Sequence, residues 1–261
     1  MYTTCVYLNP LDLRNFQMQT PPKDAQIADI SLTSQTSSLN GRNFILPSFP
    51  PLTQYDNFTS HDTICDLRAE CNPSTLECSC VHVIDIPFDK TVQMVFSTIG
   101  AFPCAHPIHL HGHTFHFVAV GYPEYNDTTG FVQTPNSDIF CDDIGCTKEG
   151  CVNSSCTRPR WKIEKTFPIS NHTIRKDTVM VPAGGYVVIN FLSDNPGQWF
   201  LHCHKELHQL EGMALIVNEA LDEQRKWHPP DGMNKCGDFI LPKLRYILTF
   251  SETISLNKTT T

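Results

Sequence analysis

Apolar residues along this chain fall into short runs of strand length, several with polar residues at alternate positions, and no stretch carries the 3.6-residue period of a long helix. Ile27–Leu32, Phe44–Leu46, Val81–Ile86, Val92–Phe96, Phe115–Val120, Thr178–Val181, Tyr186–Phe191 and Met213–Val217 are the segments of this kind, divided by Pro, Gly and Asn. Asn40-Gly41 lies between the first two and predicts a type I′ hairpin turn. Short strands at this spacing predict an all-β fold, a β-sandwich. Residues 123–160 are poor in apolar positions and hold Cys141, Cys146, Cys151 and Cys156, which predicts a long cross-linked loop. The folded domain is expected over 27–240, with a second cysteine-rich loop at 61–80. Residues 1–26 read as a linker and 241–261 as a tail.

Composition narrows the class. An apolar fraction of 40% and a charged fraction of 18% belong to a folded chain. A net charge of −8 with no basic run argues against nucleic acid as a partner. No segment reaches the roughly 18 apolar residues of a transmembrane helix. Twelve cysteines, clustered at Cys65, Cys71, Cys78 and Cys80 and again at 141–156, predict disulfide-stapled loops and an oxidising compartment. Five Asn-x-Ser/Thr acceptors, at Asn57, Asn126, Asn153, Asn171 and Asn257, agree with secretion. The first ten residues have neither a charged n-region nor an apolar core, so they are no signal peptide, and the N-terminus of the secreted protein is expected upstream.

The candidate chemistry is concentrated in histidine. Eight of the twelve lie in two windows, His106-Pro-Ile-His-Leu-His-Gly-His-Thr-Phe-His116 and His202-Cys-His-Lys-Glu-Leu-His208. His61, His82, His172 and His228 stand alone and read as structural. In an extended segment side chains alternate faces, so His202 and His204 point one way and Cys203 the other. One tripeptide thereby touches two metal sites. His109 and His111 share a face, which allows four imidazoles to converge between two strands; His113 is in phase with them. The spacing Cys203-x4-His208-x4-Met213 describes a second set, completed by His106: one thiolate, two imidazoles and a thioether, the ligands of a blue-copper centre. Zinc is the rival metal, but its closed Cys/His tetrahedron has no use for Met213. Met213 as plain core is the other reading of that residue.

These two windows resemble the C-terminal copper motifs of the multicopper oxidases, the laccase, ascorbate oxidase and ferroxidase group. The resemblance extends over about 27–240 through Asn40-Gly-Arg-Asn-Phe44, Pro47 to Gln54, Lys176-Asp-Thr-Val-Met-Val-Pro182, Gly185-Tyr-Val-Val-Ile189 and Asn195-Pro-Gly-Gln-Trp199. The cysteines at 65–80 and Cys236-Gly-Asp238 are more similar to animal laccase-like proteins than to fungal ones. The resemblance implies a cupredoxin-like Greek-key sandwich, the third plastocyanin-like domain of such an oxidase. It implies copper as cofactor: type 1 on His106, Cys203, His208 and axial Met213, type 2 on His109, and type 3 on His111, His202 and His204. His113 and His116 are not ligands in the family. The implied activity is one-electron oxidation of a small reducing substrate at type 1 copper, a phenol, diphenol or aromatic amine, with ferrous iron or ascorbate as rivals. Electrons pass through Cys203, His202 and His204 to a trinuclear cluster that reduces O2 to water.

Two departures qualify the match. The family's cluster takes eight histidines, and the first domain's two His-x-His motifs have no counterpart here, so missing N-terminal domains are expected to complete the site. Lys205 replaces the apolar residue that usually follows His-Cys-His; a cation there raises the potential or alters the substrate edge, unless it only snorkels to solvent. Two readings follow: the C-terminal part of a secreted three-domain oxidase, inactive alone, or a single-domain blue-copper carrier without oxidase activity. Setting aside Cys203 leaves an odd number of cysteines, so at least one is free or paired outside the chain; Cys5 and Cys236 are the candidates.

Overall fold

A computed structural model describes residues 25–33, 37–62, 64–65, 79–98, 104–141, 146–147, 150–151, 159–162, 173–233 and 235–236. The elements in chain order are β1 (Ala25–Thr33), β2 (Ser38–Leu39), β3 (Asn43–Phe44), α1 (Tyr55–His61), β4 (Ile64–Cys65), β5 (Ser79–Ile86), β6 (Thr91–Thr98), β7 (His106–Leu110) and β8 (Phe115–Gly121). There follow β9 (Glu124–Tyr125), β10 (Val132–Thr134), β11 (Ile139–Cys141), β12 (Cys146–Thr147), β13 (Gly150–Cys151), β14 (Pro159–Trp161), β15 (Arg175–Lys176) and β16 (Thr178–Val181). The last are β17 (Tyr186–Leu192), β18 (Gly197–Cys203), α2 (Glu206–Leu210), β19 (Ala214–Glu219) and α3 (Leu221–Gln224).

Two sheets face each other. One runs β15-β8-β17-β6-β1-β2, the other β16-β7-β18-β19-β5-β3 with β4 beside β5. Central strands explain why several sequence runs are continuously apolar rather than alternating. Every residue of β6 and β19 is buried, as are six of the seven in β17, because these strands have a neighbour on each side and cover on both faces. The core between the sheets takes Met94, Phe96, Phe115, Ile189 and Phe191 from the first and Ile84, Ile108, Leu110, Leu201 and Leu215 from the second. Cys203 and Met213 belong to the same cluster. Phe58 of α1 covers the outer face of the second sheet with Phe44, Val81, Ala214 and Ile216.

Three expectations need correction. The Asn40-Gly41 turn forms, with φ of 53° and 70°, but it joins β2 to β3; the strand at 27–32 instead runs parallel to β6. Two residues carry no period, so β2 leaves no mark in the hydrophobic pattern. Residues 123–160 are not only loop: β9 pairs with β10 and β11 with β14, and Ile139 and Trp161 cover Val95, Ala119, Tyr186 and Val188 on the outer face of the first sheet. Met213 precedes β19 rather than starting it. The cross-link found is Cys65–Cys80, while Cys104, Cys203 and Cys236 are free among the described residues. Cys5, the linker before 25, the tail after 240 and the cysteines at 71 and 78 lie outside the described residues.

Candidate metal centre

Strand β7 presents chemistry on both faces because its residues alternate. His106, Ile108 and Leu110 point into the core, and His109 points away. Its neighbour β18 is aligned so that His202 stands opposite His109, Cys203 opposite Ile108 and Leu201 opposite Leu110. The chain then leaves the sheet, makes the short helix α2 and returns at Met213.

On the inner side, Cys203 Sγ lies 3.8 Å from His106 Nδ1 and 3.7 Å from His208 Nδ1. These donor atoms lie within 4.8 Å of one another, and among the described residues no other three of His, Cys, Asp or Glu meet in this way. An ion bound at about 2.1 Å to nitrogen and about 2.3 Å to sulfur in a trigonal plane gives nitrogen-to-sulfur edges of about 3.8 Å, so the residues fit one metal ion. Met213 is fully buried in the adjoining core. Its backbone closes the loop: Cys203 N donates to Met213 O at 3.0 Å, and Met213 N donates to His208 O at 2.8 Å.

The electrostatics suit neutral nitrogen ligands and a thiol that gives up its proton on metal binding. Burial, with the His208 ring and the Lys205 ammonium, lowers the pKa of His106 to about 3. Burial and Lys205 lower His208, which Glu211 partly opposes. Burial raises the Cys203 thiol, while the Lys205 amide and ammonium pull it down. Lys205 itself is exposed, so its side chain reaches solvent while its charge is felt at all three groups.

On the other side of the same strands, four rings gather. His109 lies 4.8 Å from His111, 5.6 Å from His202 and 5.8 Å from His204 between ring centroids, and His202 stacks on His204 at 5.7 Å. His111 Nε2 meets His202 Nε2 at 3.2 Å. His109 Nδ1 faces the Asp177 carbonyl at 2.9 Å and His202 Nδ1 faces the Cys203 carbonyl at 3.0 Å. A carbonyl only accepts, so both Nδ1 atoms carry the proton and both Nε2 atoms keep a lone pair that can bind a metal, the one on His202 accepting from His111 Nε2 in the metal-free chain. Burial lowers the pKa of His111 and His202. His113 is elsewhere: its Nε2 lies 2.5 Å from Glu219 Oε2, both side chains are buried, and Glu219 Oε1 accepts from Asn195 N at 2.8 Å. Glu219 is a residue that sequence reasoning missed. Its only signal was a carboxylate shortly after the apolar run Ala214–Val217.

Residues 44–223 match the family model of the multicopper oxidases. Laccase-17 of Arabidopsis thaliana is 27% identical over 255 residues, which cover 90% of this chain and 36% of that one. Laccase-22 of Oryza sativa subsp. japonica is 30% identical over 214 residues, 77% of this chain and 32% of that one. Among solved structures, the laccase from Botrytis aclada superposes with a TM-score of 0.52 at 22% identity, covering 85% of this chain and 33% of that one. Fet3p, a multicopper oxidase that functions in iron import, gives 0.50 at 21%, covering 84% and 36%. At such identity the structures speak for the fold alone. The chain spans about a third of the length of these relatives.

Proposed function

The chain belongs to the multicopper oxidase family, whose metal is copper, and from that premise we propose that it is the copper-binding C-terminal domain of a secreted, laccase-like oxidoreductase. His106, Cys203 and His208 would hold type 1 copper together with Met213, His109 would serve type 2 copper, and His111, His202 and His204 would serve the type 3 pair. The observation that carries this reading is the buried Cys203 triangle with edges of 3.7 and 3.8 Å, set back to back with a cluster of imidazoles. Copper on the triangle supplies one-electron exchange with a reducing substrate.

The chain's own residues supply the rest. Ile108, Leu201 and Met213 keep water from the thiolate side. Cys203 is joined to His202 and His204 by a few covalent bonds, which link the two sets. The Asp177 carbonyl and the Thr178 hydroxyl hold His109 by Nδ1 and aim Nε2 outward. His208 sits at the rim, with Leu207 and Leu210 exposed beside it. This apolar lip suits a phenol, diphenol or aromatic amine better than ferrous iron or ascorbate. Four imidazoles are half of the O2-reducing site, and another domain of a longer protein supplies the remainder. The Cys65–Cys80 disulfide and the exposed turn carrying the Asn126 acceptor support secretion.

Copper loading of this chain is expected to produce the visible thiolate-to-copper band without sustained oxygen uptake at an oxygen electrode. Co-production with the preceding domains restores uptake. Loading without the band overturns the ligand assignment, and four-electron O2 reduction by this chain alone overturns the half-site reading. A second reading is favoured by one observation, that His106, Cys203 and His208 meet within this one chain: a single-domain blue-copper carrier. That protein exchanges electrons but takes up no oxygen with any added domain.

A further inference from the structure

The residues just before Met213 are held from outside their own loop. The segment Ser37–Phe44 crosses from one sheet to the other, since β2 pairs with β1 in the first sheet and β3 with β5 in the second. It is stiff. Its turn is closed by reciprocal bonds between Leu39 and Arg42 of 3.1 and 3.0 Å, and Ser38 and Leu39 have no exposed surface. From this strap the Asn43 Nδ2 amide donates to Glu211 O at 3.1 Å and to Ser37 O at 3.4 Å. The Phe44 amide donates to Gly212 O at 2.8 Å, and the Ser37 hydroxyl donates to Glu211 Oε2 at 2.5 Å. The approach is so close that a Cβ on Gly212, whose φ is +111°, would lie 2.8 Å from Phe44 N and 2.9 Å from Asn43 Cα. Only glycine fits there.

An axial thioether bond to copper is long and weak, so it cannot pull its own loop into place; the backbone decides how near the sulfur stands. Both carbonyls preceding Met213 are fixed by donors on the strap. We propose that Asn43 is a positioning residue for Met213, so that the strap Ser37–Phe44 sets the axial contact and through it the potential of the copper centre. The inference rests on the ligand assignment proposed above. Loss of the Asn43 donor loosens the 211–212 peptides, withdraws the thioether and weakens its donation to oxidised copper, which raises the potential.

The test is a cycle of four copper-loaded proteins: the unaltered chain, Asn43→Ala, Met213→Leu and the double variant, each titrated against redox dyes of known potential while the visible band is followed. Asn43→Ala is expected to shift the electron-exchange constant about tenfold toward the reduced form, 59 mV for a one-electron couple. In the Met213→Leu background the same change is expected to move it less than about twofold, because the group it acts through is gone. In the metal-free protein, amide hydrogen exchange at Met213 and Cys203 is expected to quicken in Asn43→Ala while that of β17 is unchanged. Where alanine unfolds the strap, Asn43→Leu keeps the size, removes the donor without adding a charge and is read in the same way. An unaltered potential in Asn43→Ala overturns the proposal, as does a shift of equal size in the Met213→Leu background. Failure of the ligand reading is separate: the band then survives Cys203→Ser, or Met213→Leu leaves the potential where it was.

Discussion

His82 provides the sharpest test of the physical picture. It lies on β5 on the same face as Ile84 and Ile86, has no exposed surface, and neither ring nitrogen has a hydrogen-bond partner. Burial, reinforced by the Arg42 guanidinium, lowers its pKa from 6.5 to about 3. The unfolded chain therefore takes up a proton near pH 6.5 that the folded chain refuses until about pH 3, so stability falls as pH falls through that window. Between pH 7 and pH 5 the loss from this one residue is about 2 kcal/mol, from 1.36 kcal/mol per pH unit below the unfolded pKa. His82→Leu keeps the side chain apolar among apolar neighbours and strands no hydrogen-bond partner. It is expected to stabilise the protein at pH 7 by about 1 kcal/mol, the lower end of the cost of an orphaned buried polar group, and to remove the His82 share of the pH-dependent loss, leaving that of His106 and the other buried imidazoles. Urea unfolding of both proteins at pH 5 and pH 7, metal-free throughout, reads the two terms separately. If His82→Leu loses as much stability between the two pH values as the unaltered chain, the imidazole is not held neutral and the argument fails.

Three further outcomes follow from the site. Cys203→Ser abolishes the thiolate-to-copper band, and titration with Cu(II) under visible absorption checks it; a variant that stays blue refutes Cys203 as ligand. Metal binding near pH 7 releases about one proton, from the raised Cys203 thiol, since His106 and His208 are already neutral. Calorimetry in buffers of different ionisation enthalpy counts it, and a count of two or more contradicts neutral imidazoles. Glu219→Ala leaves His113 and the Asn195 amide without their buried acceptor and is expected to cost about 3 kcal/mol in chemical denaturation; a cost below about 1 kcal/mol means that water replaces the carboxylate.

Much of the site was legible because strand geometry is a short-range rule. Alternation within His202-Cys203-His204 needs no knowledge of the rest of the fold: the rings of His202 and His204 stack, and Cys203 turns to the other side. Periodicity left His113 open, since it shares the phase of His109 and His111, yet its ring packs on Phe191 and meets Glu219 instead. What removes it from the cluster is Glu219, distant in sequence and brought near by the pairing of β18 with β19. No local pattern reports that contact.

The strands divide along the same line. β6 and β17 were visible as apolar runs because burial on both faces leaves a mark on every residue. β2 and β3 are two residues each, and their conformation comes from the Asn40-Gly41 turn and from partners on two different sheets. The turn was readable and the partners were not, so the strand at 27–32 was assigned to the wrong neighbour. The strap built from those two strands is also what holds the peptides before Met213. Ligand identity was thus written in local spacing, whereas ligand position depends on contacts between distant segments, and the cycle on Asn43 and Met213 measures that second part.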